Sequence, residues 1–114
     1  MAQSTIQRKQ LLEAVLDSRH LTRVDVREIT LAPGQLAGRH LHPCPVVGYI
    51  LNGTAIYQLE GEEEKLLPTG SAFYEPSKVI VAQFGNASSD APMTFIAFYL
   101  LDGDEELIVM LDQK

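Results

Sequence analysis

From Leu21 to Leu111 the chain is a succession of short extended runs broken by Gly, Pro and Asn. This punctuation excludes long helices, because proline fits the interior of neither a helix nor a central strand and glycine weakens both. The texture is that of an all-β fold. Leu21 to Leu31 holds two alternating pairs, Val24/Val26 and Ile29/Leu31, whose phases differ by one residue, which predicts a bulge near Arg27-Glu28. Ala32-Pro33-Gly34 ends that run, Arg39 to His42 reads as a short strand, and Pro43-Cys44-Pro45 turns the chain. Asn52-Gly53 then separates Val46–Leu51 from Thr54–Glu60. An Asn-Gly pair favours the type I′ turn of a tight hairpin, so these two strands are expected to pair with each other.

The remaining runs follow the same grammar. Gly61-Glu62-Glu63-Glu64 is an acidic turn, Lys65 to Leu67 a strand, and Pro68-Thr69-Gly70 a further turn. Ser71–Glu75 and Val79–Phe84 are strands on either side of Pro76-Ser77-Lys78, and Gly85–Pro92 is a polar loop. Met93–Leu101 and Leu107–Leu111 are apolar on both alternating faces. Each should therefore be covered from two sides, once by the core of its own domain and once by a second copy, which predicts a homodimer. Only residues 6–17 depart from the extended texture: Leu11, Leu12, Val15 and Leu16 fall at helical spacing among good helix formers, so a short helix competes there with a strand.

Size and charge narrow the setting. A chain of 114 residues with 46% hydrophobic content can bury a core but is short for two ordinary domains, so residues 1–114 are expected to form one domain with its core over about 22–111. The net charge of -6 argues against nucleic acid or anionic lipid as partners, since both need an excess of Lys and Arg. Cys44 is the only cysteine, which excludes an internal disulfide. The first ten residues carry no apolar run behind their basic residues and do not read as a secretory signal, and no segment has the roughly 18 apolar residues of a membrane span. A cytoplasmic location is expected.

One spacing carries chemistry. Gly34, five residues, His40-Leu41-His42, three residues, Val46, six residues and Gly53 form one block; Gly70, five residues and Pro76 open a second. These blocks resemble the two motifs of small single-domain cupins, the RmlC-like jelly rolls built as a double-stranded β-helix. In that pattern a glutamate stands at the position of Val46 and a histidine at that of Val81. The second block departs further, with Lys78 at a glycine position and Asn86 one residue beyond the expected asparagine. The resemblance implies a β-barrel with a metal site of iron, manganese, nickel, copper or zinc, reduced here to His40 and His42.

The physics of the pattern explains the weight of those departures. Residues i and i+2 of a strand share a face, so His40 and His42 can present two imidazoles to the barrel interior, while a valine donates no electron pair. Two imidazoles alone hold a divalent ion weakly, so the metal site reads as incomplete. Gln58 on the hairpin's return strand, and Gln83 two residues from Val81, are candidate amide ligands. His40, His42, Val46, Tyr49, Gln58, Val81 and Gln83 together make the candidate ligand pocket. Tyr57, Phe73 and Tyr74 read as barrel packing, Cys44 as a small buried thiol, His20 as an exposed loop residue, Glu75 as the end of a strand, and Glu60 to Glu64 as a solvated tip. No nucleophile, base and orienting group are readable together, so catalytic residues are not assignable. Two functional classes fit: a protein that binds a small organic molecule in the cavity, or a metal-dependent enzyme such as a dioxygenase or isomerase, using His40 and His42 with an unusual third ligand. A regulatory or assembly subunit is a third.

Overall fold

The computed structural model describes residues 5–112. Nine strands follow one another: β1 (Arg23–Leu31), β2 (His40–Leu41), β3 (Val46–Asn52), β4 (Ala55–Leu59), β5 (Lys65–Leu67), β6 (Ala72–Glu75), β7 (Val81–Asn86), β8 (Met93–Leu101) and β9 (Val109–Met110). They form two sheets in the orders β1-β8-β3-β6 and β5-β4-β7-β2-β9. Every strand pairing is antiparallel. The two sheets face each other as a jelly roll, and no helix occurs among the described residues.

The core between the sheets is aromatic at its centre. Phe73 from β6, Phe84 from β7 and Phe95 from β8 lie with ring centroids 4.9–6.1 Å apart, and Tyr57 of β4 closes the group at 5.9 Å from both Phe73 and Phe84. Such tilted contacts suit the ring quadrupoles. Gly48 on β3 makes room for the group, since a Cβ there would overlap the ring of Phe73. A buried asparagine latches one end of the sandwich: Asn86 donates to the carbonyls of Ala32 (3.2 Å) and Ala91 (2.7 Å) and accepts from the Ser88 amide (3.0 Å).

Three local expectations are corrected. First, β3 and β4 lie in different sheets and do not pair. Asn52-Gly53 is a corner between the sheets, and among the described residues only Gly53 of the two has a positive φ (97°), so the turn is not type I′. Thr69 holds the corner, its hydroxyl accepting from the Gly53 amide at 3.0 Å and donating to the Gly53 carbonyl at 2.8 Å. The hairpin partner of β4 is instead β5, across the acidic turn.

Second, β1 has no bulge. It pairs with β8 in unbroken register from Arg23↔Leu101 to Leu31↔Met93. The phase slip in its sequence reflects two environments on one regular strand: Val24 and Val26 face outward and are exposed, whereas Ile29 and Leu31 face the core. Third, residues 6–17 form neither helix nor strand. Leu11, Leu12 and Val15 are exposed, and a stretch of that length does not hold a helix in water without an apolar surface to pack on.

The chain becomes anchored at Arg19. Its guanidinium donates to the Leu100 carbonyl at 2.7 Å and to both Glu105 oxygens at 2.9 and 3.1 Å. The Thr22 amide then bonds to the Leu101 carbonyl at 2.9 Å, setting the register in which β1 begins.

Candidate metal centre

β2 is only two residues long, yet it is clamped between β7 and β9, with His40 opposite Val81 on one side and opposite Met110 on the other. The pairing turns both histidines inward, where they are 2% and 4% exposed. Each ring is fixed by a backbone carbonyl: His40 Nδ1 lies 2.7 Å from the Gly38 oxygen and His42 Nδ1 lies 2.6 Å from the Leu107 oxygen. A carbonyl only accepts, so both Nδ1 atoms carry a proton and both Nε2 atoms are left to face the interior. The rings meet edge to face, with centroids 4.9 Å apart.

The third member of the group is Glu75. Read from the sequence as an ordinary strand end, it is instead 5% exposed and points inward, with Oε2 2.9 Å from His42 Nε2. That approach lacks hydrogen-bond geometry, and Nε2 of His42 remains a buried nitrogen without a hydrogen-bond partner. A neutral His42 with its proton on Nδ1 would turn a lone pair toward a carboxylate oxygen, which is repulsive unless a positive charge lies on the ring or between the two atoms. Donor atoms of His40, His42 and Glu75 all lie within 4.8 Å of one another. Two imidazoles and one carboxylate are a ligand set used by catalytic zinc and non-haem iron sites, with positions left open for water or substrate.

The placement of Glu75 follows from strand pairing. Val46 and Glu75 are direct cross-strand partners in the β3–β6 ladder. The carboxylate that the family pattern puts at position 46 is supplied from the neighbouring strand, opposite that position. Burial disfavours charge on both histidines, and the balance differs between them. His40 is held below the ordinary histidine value by burial, which outweighs the Gly38 carbonyl and Glu75. For His42 burial acts in the same direction, but the Glu75 carboxylate and the Leu107 carbonyl outweigh it and the net direction is up.

Beyond the three donors lies a cavity of about 170 Å³. Ile29 and Leu31 of β1, Phe84 of β7, Phe95, Ala97 and Tyr99 of β8, together with Ala37 and Ile108, form its walls. Tyr99 is its one phenol, and burial with the nearby Glu75 charge pushes its pKa up to about 12, so the hydroxyl stays neutral and able to donate. A larger cleft of about 350 Å³ lies elsewhere, between residues 15–19 and Pro45, Tyr74 and Pro76, and contains none of the three donors.

The other candidate pocket residues fall outside the cavity lining. Val46 and Val81 are fully buried beside the donors, but as packing. Tyr49 is on the outer face of β3, because Val46, Gly48 and Ile50 take the inner one and strand parity alternates. Gln83 Nε2 donates to Gln58 Oε1 at 2.9 Å and to the Glu64 carboxylate at 2.7 Å, and Gln58 Nε2 donates to the Glu62 carbonyl at 2.8 Å. Gln83 does not share the face of Val81 because the β4–β7 register shifts: Gln58 pairs with Gln83 but Leu59 with Val81, leaving Ala82 as a bulge. Glu75 itself carried a readable signal, since it stands two residues after Phe73 on one strand and must share that residue's core face.

Fold and site together define a jelly-roll barrel with a buried cluster of nitrogen and oxygen donors at one end of an apolar cavity. The cupin domain model matches residues 27–99, more than half of the chain, and the chain belongs to that family. Among curated proteins none matches it in sequence. Solved structures are similar in fold. A cupin-like protein from Thermotoga maritima is 23% identical, with a TM-score of 0.65, 74% of this chain and 63% of that one being covered. The DMSP lyase DddQ from Ruegeria pomeroyi is 21% identical, with a TM-score of 0.66 and coverage of 76% and 42%. An RmlC-like cupin with a double-stranded β-helix fold from Methanocaldococcus jannaschii is 25% identical, with a TM-score of 0.62 and coverage of 68% and 69%. The chain thus spans less than two thirds of the length of the first two.

Proposed function

We propose that this cupin is a metal-dependent protein in which His40, His42 and Glu75 hold one divalent first-row ion and the adjoining cavity receives a small, largely apolar organic molecule. The observation that carries the reading is the buried Glu75 carboxylate 2.9 Å from a histidine nitrogen that has no hydrogen-bond partner. Of the readings open from the sequence, it favours the metal-dependent enzyme with an unusual third ligand over the binder with an incomplete site. An ion bound there supplies Lewis acidity or an oxygen-binding centre, the chemistry of dioxygenases and isomerases.

The chain's own residues define what can enter. The Gly38 and Leu107 carbonyls orient the imidazoles, a supporting role that fixes the tautomer and raises ligand basicity. Ile29, Leu31, Phe84 and Phe95 exclude water from the space beside the donors, and Tyr99 offers a neutral hydroxyl to a polar atom of the guest. A cavity of about 170 Å³ is near the ~150 Å³ apolar cavity that accepts benzene, and well below drug-sized pockets. The guest is therefore a molecule of a few carbons or a single ring.

Metal analysis of untagged protein, followed by calorimetric titration of metal-stripped protein with Fe(II), Mn(II), Ni(II), Cu(II) and Zn(II), tests the reading. About one ion per chain is expected with at least one of these metals, and its loss in Glu75→Ala. A chain that takes up none of them, as purified or on titration, overturns it.

A further inference from the structure

Asp25, Arg27, Ile29 and Leu31 alternate along β1 and so share its inner face, the side on which Ile29 and Leu31 wall the cavity. Register sets Asp25 opposite Tyr99 and Arg27 opposite Ala97, and both of those partners line the same cavity. β1 is an edge strand of its sheet. The ion pair of Arg27 and Asp25 stands at the rim, just outside the cavity walls, with 55% and 24% of the two side chains exposed. Arg27 gives Asp25 only part of its fork: Nε donates to Oδ1 at 2.9 Å and Nη2 to Oδ2 at 3.2 Å. A guanidinium carries five N–H groups in one plane, so this pairing leaves its Nη1–Nη2 edge open. Nη1 makes no hydrogen bond among the described residues. Tyr99 behind it is 7% exposed, and its hydroxyl likewise has no hydrogen-bond partner among the described residues. The Arg27 charge is felt at that hydroxyl, where it opposes the upward pull of burial and Glu75.

We propose that Arg27 and Tyr99 form a carboxylate subsite at this rim, so that the guest of the cavity is a small organic acid with its charged end at Arg27 and its body among Ile29, Leu31, Phe84 and Phe95. This subsite rests on the cavity receiving a guest, as proposed above, and adds the chemical class of that guest. Apart from the three donors, Tyr99 is the one polar residue of the cavity lining, and Glu75 at the inner end repels a second carboxylate. A negative charge is therefore better left at the rim, where water and Arg27 meet it, than carried inside. The open edge of Arg27 matches the two oxygens of a carboxylate as a fork on a fork. Asp25, bonded to the other edge, acts as a positioning residue that sets the plane of the guanidinium. Tyr99 then donates its hydroxyl to the carboxylate oxygen nearer the cavity. The fold has little need of the pair itself, since exposed ion pairs contribute little to stability.

Calorimetric titration of the full chain with benzoate and its neutral counterpart benzyl alcohol tests this, on the protein as purified and again after chelation of any metal. Wild type should bind benzoate about 10–100-fold more tightly than benzyl alcohol, the worth of hydrogen bonds to a charged group. Arg27→Gln should abolish that preference while leaving the affinity for benzyl alcohol unchanged, and Tyr99→Phe should weaken benzoate several-fold. Arg27→Gln/Asp25→Asn has the net charge of the wild type and should lack the preference as well; a preference regained there would mean that net charge alone selects the acid, and would overturn the subsite. Circular dichroism should show an unchanged β fold in the rim variants, whose altered side chains lie outside the core. Binding of benzyl alcohol with no preference for benzoate overturns the subsite and leaves the cavity reading standing, whereas binding of neither overturns both. A preference that survives Arg27→Gln also overturns it, and one that then disappears on chelation puts the carboxylate at the donors instead.

Discussion

At the scale of the residue, the centre turns on which strand supplies a carboxylate. Val46 occupies the family's glutamate position, and Glu75 stands directly across the ladder from it. Cross-strand partners have Cβ atoms about 5 Å apart, so a carboxylate at either position reaches the same region. On the proposed reading Glu75 is a ligand, and its loss should weaken metal binding by more than the 10–100-fold lost with a supporting hydrogen bond. The exchange variant Glu75→Val/Val46→Glu should recover much of that binding, which calorimetry with the preferred ion would show. A Glu75→Val/Val46→Glu protein no better than Glu75→Val would mean that position 46 no longer faces the donors. Protonation sets a second expectation. Only an unprotonated Nε2 can ligate, and the net pull of Glu75 and Leu107 on His42 keeps its proton to higher pH than an ordinary histidine. Metal affinity should therefore fall on acidification while the pH is still above about 6.5, the ordinary histidine value. Flat affinity between pH 8 and 6, followed by titration, would contradict it.

At the scale of the element, two small features hold the strands that carry the site. Gly48 lets the ring of Phe73 lie against β3, two residues along β6 from Glu75. Gly48→Ala should destabilise the fold by about 1–3 kcal/mol, the usual effect of overpacking a tight core, read as a lower midpoint in urea with unchanged slope. Asn86, which the family pattern places one residue earlier, ties the end of β7 to the loops after β1 and before β8. Asn86→Ala removes the donor to the part-buried Ala32 and Ala91 carbonyls and the acceptor for the Ser88 amide, and should cost about 1–3 kcal/mol in the same measurement. The legibility of the elements follows their locality. β5 and β8 have the bounds expected from the sequence, because composition and flanking turns delimit them from both sides. The Asn52-Gly53 corner was misread because a turn sequence fixes how the chain bends, not which strand the departing segment meets. The Ala82 bulge, which sends Gln83 away from the face of Val81, has no local signature at all.

At the scale of the whole molecule, the apolar surfaces that the site does not use argue for self-association. β8 was expected to need cover on both faces, and its outer residues Ile96, Phe98 and Leu100 are left incompletely covered by a single copy. A dimer formed through that outer face would make stability concentration-dependent. The thermal midpoint of the wild type should rise with protein concentration, while that of Val26→Glu/Phe98→Glu should not. No helix among the described residues is long and apolar enough to cross a membrane.

The sequence by itself determined the all-β class, the positions of most strands, the family resemblance and the inward pair His40 and His42, because each depends on side-chain alternation and turn residues a few positions apart. Tertiary structure alone decided that β3 crosses to the other sheet from β4, that Tyr49, Gln58 and Gln83 turn outward, and that Glu75 lies beside His40 and His42. The physical reason is common to all of these. Strand partners are chosen by hydrogen bonds between segments distant in sequence, and a ligand cluster is assembled by that choice, whereas a local pattern records only which face of its own strand a residue takes.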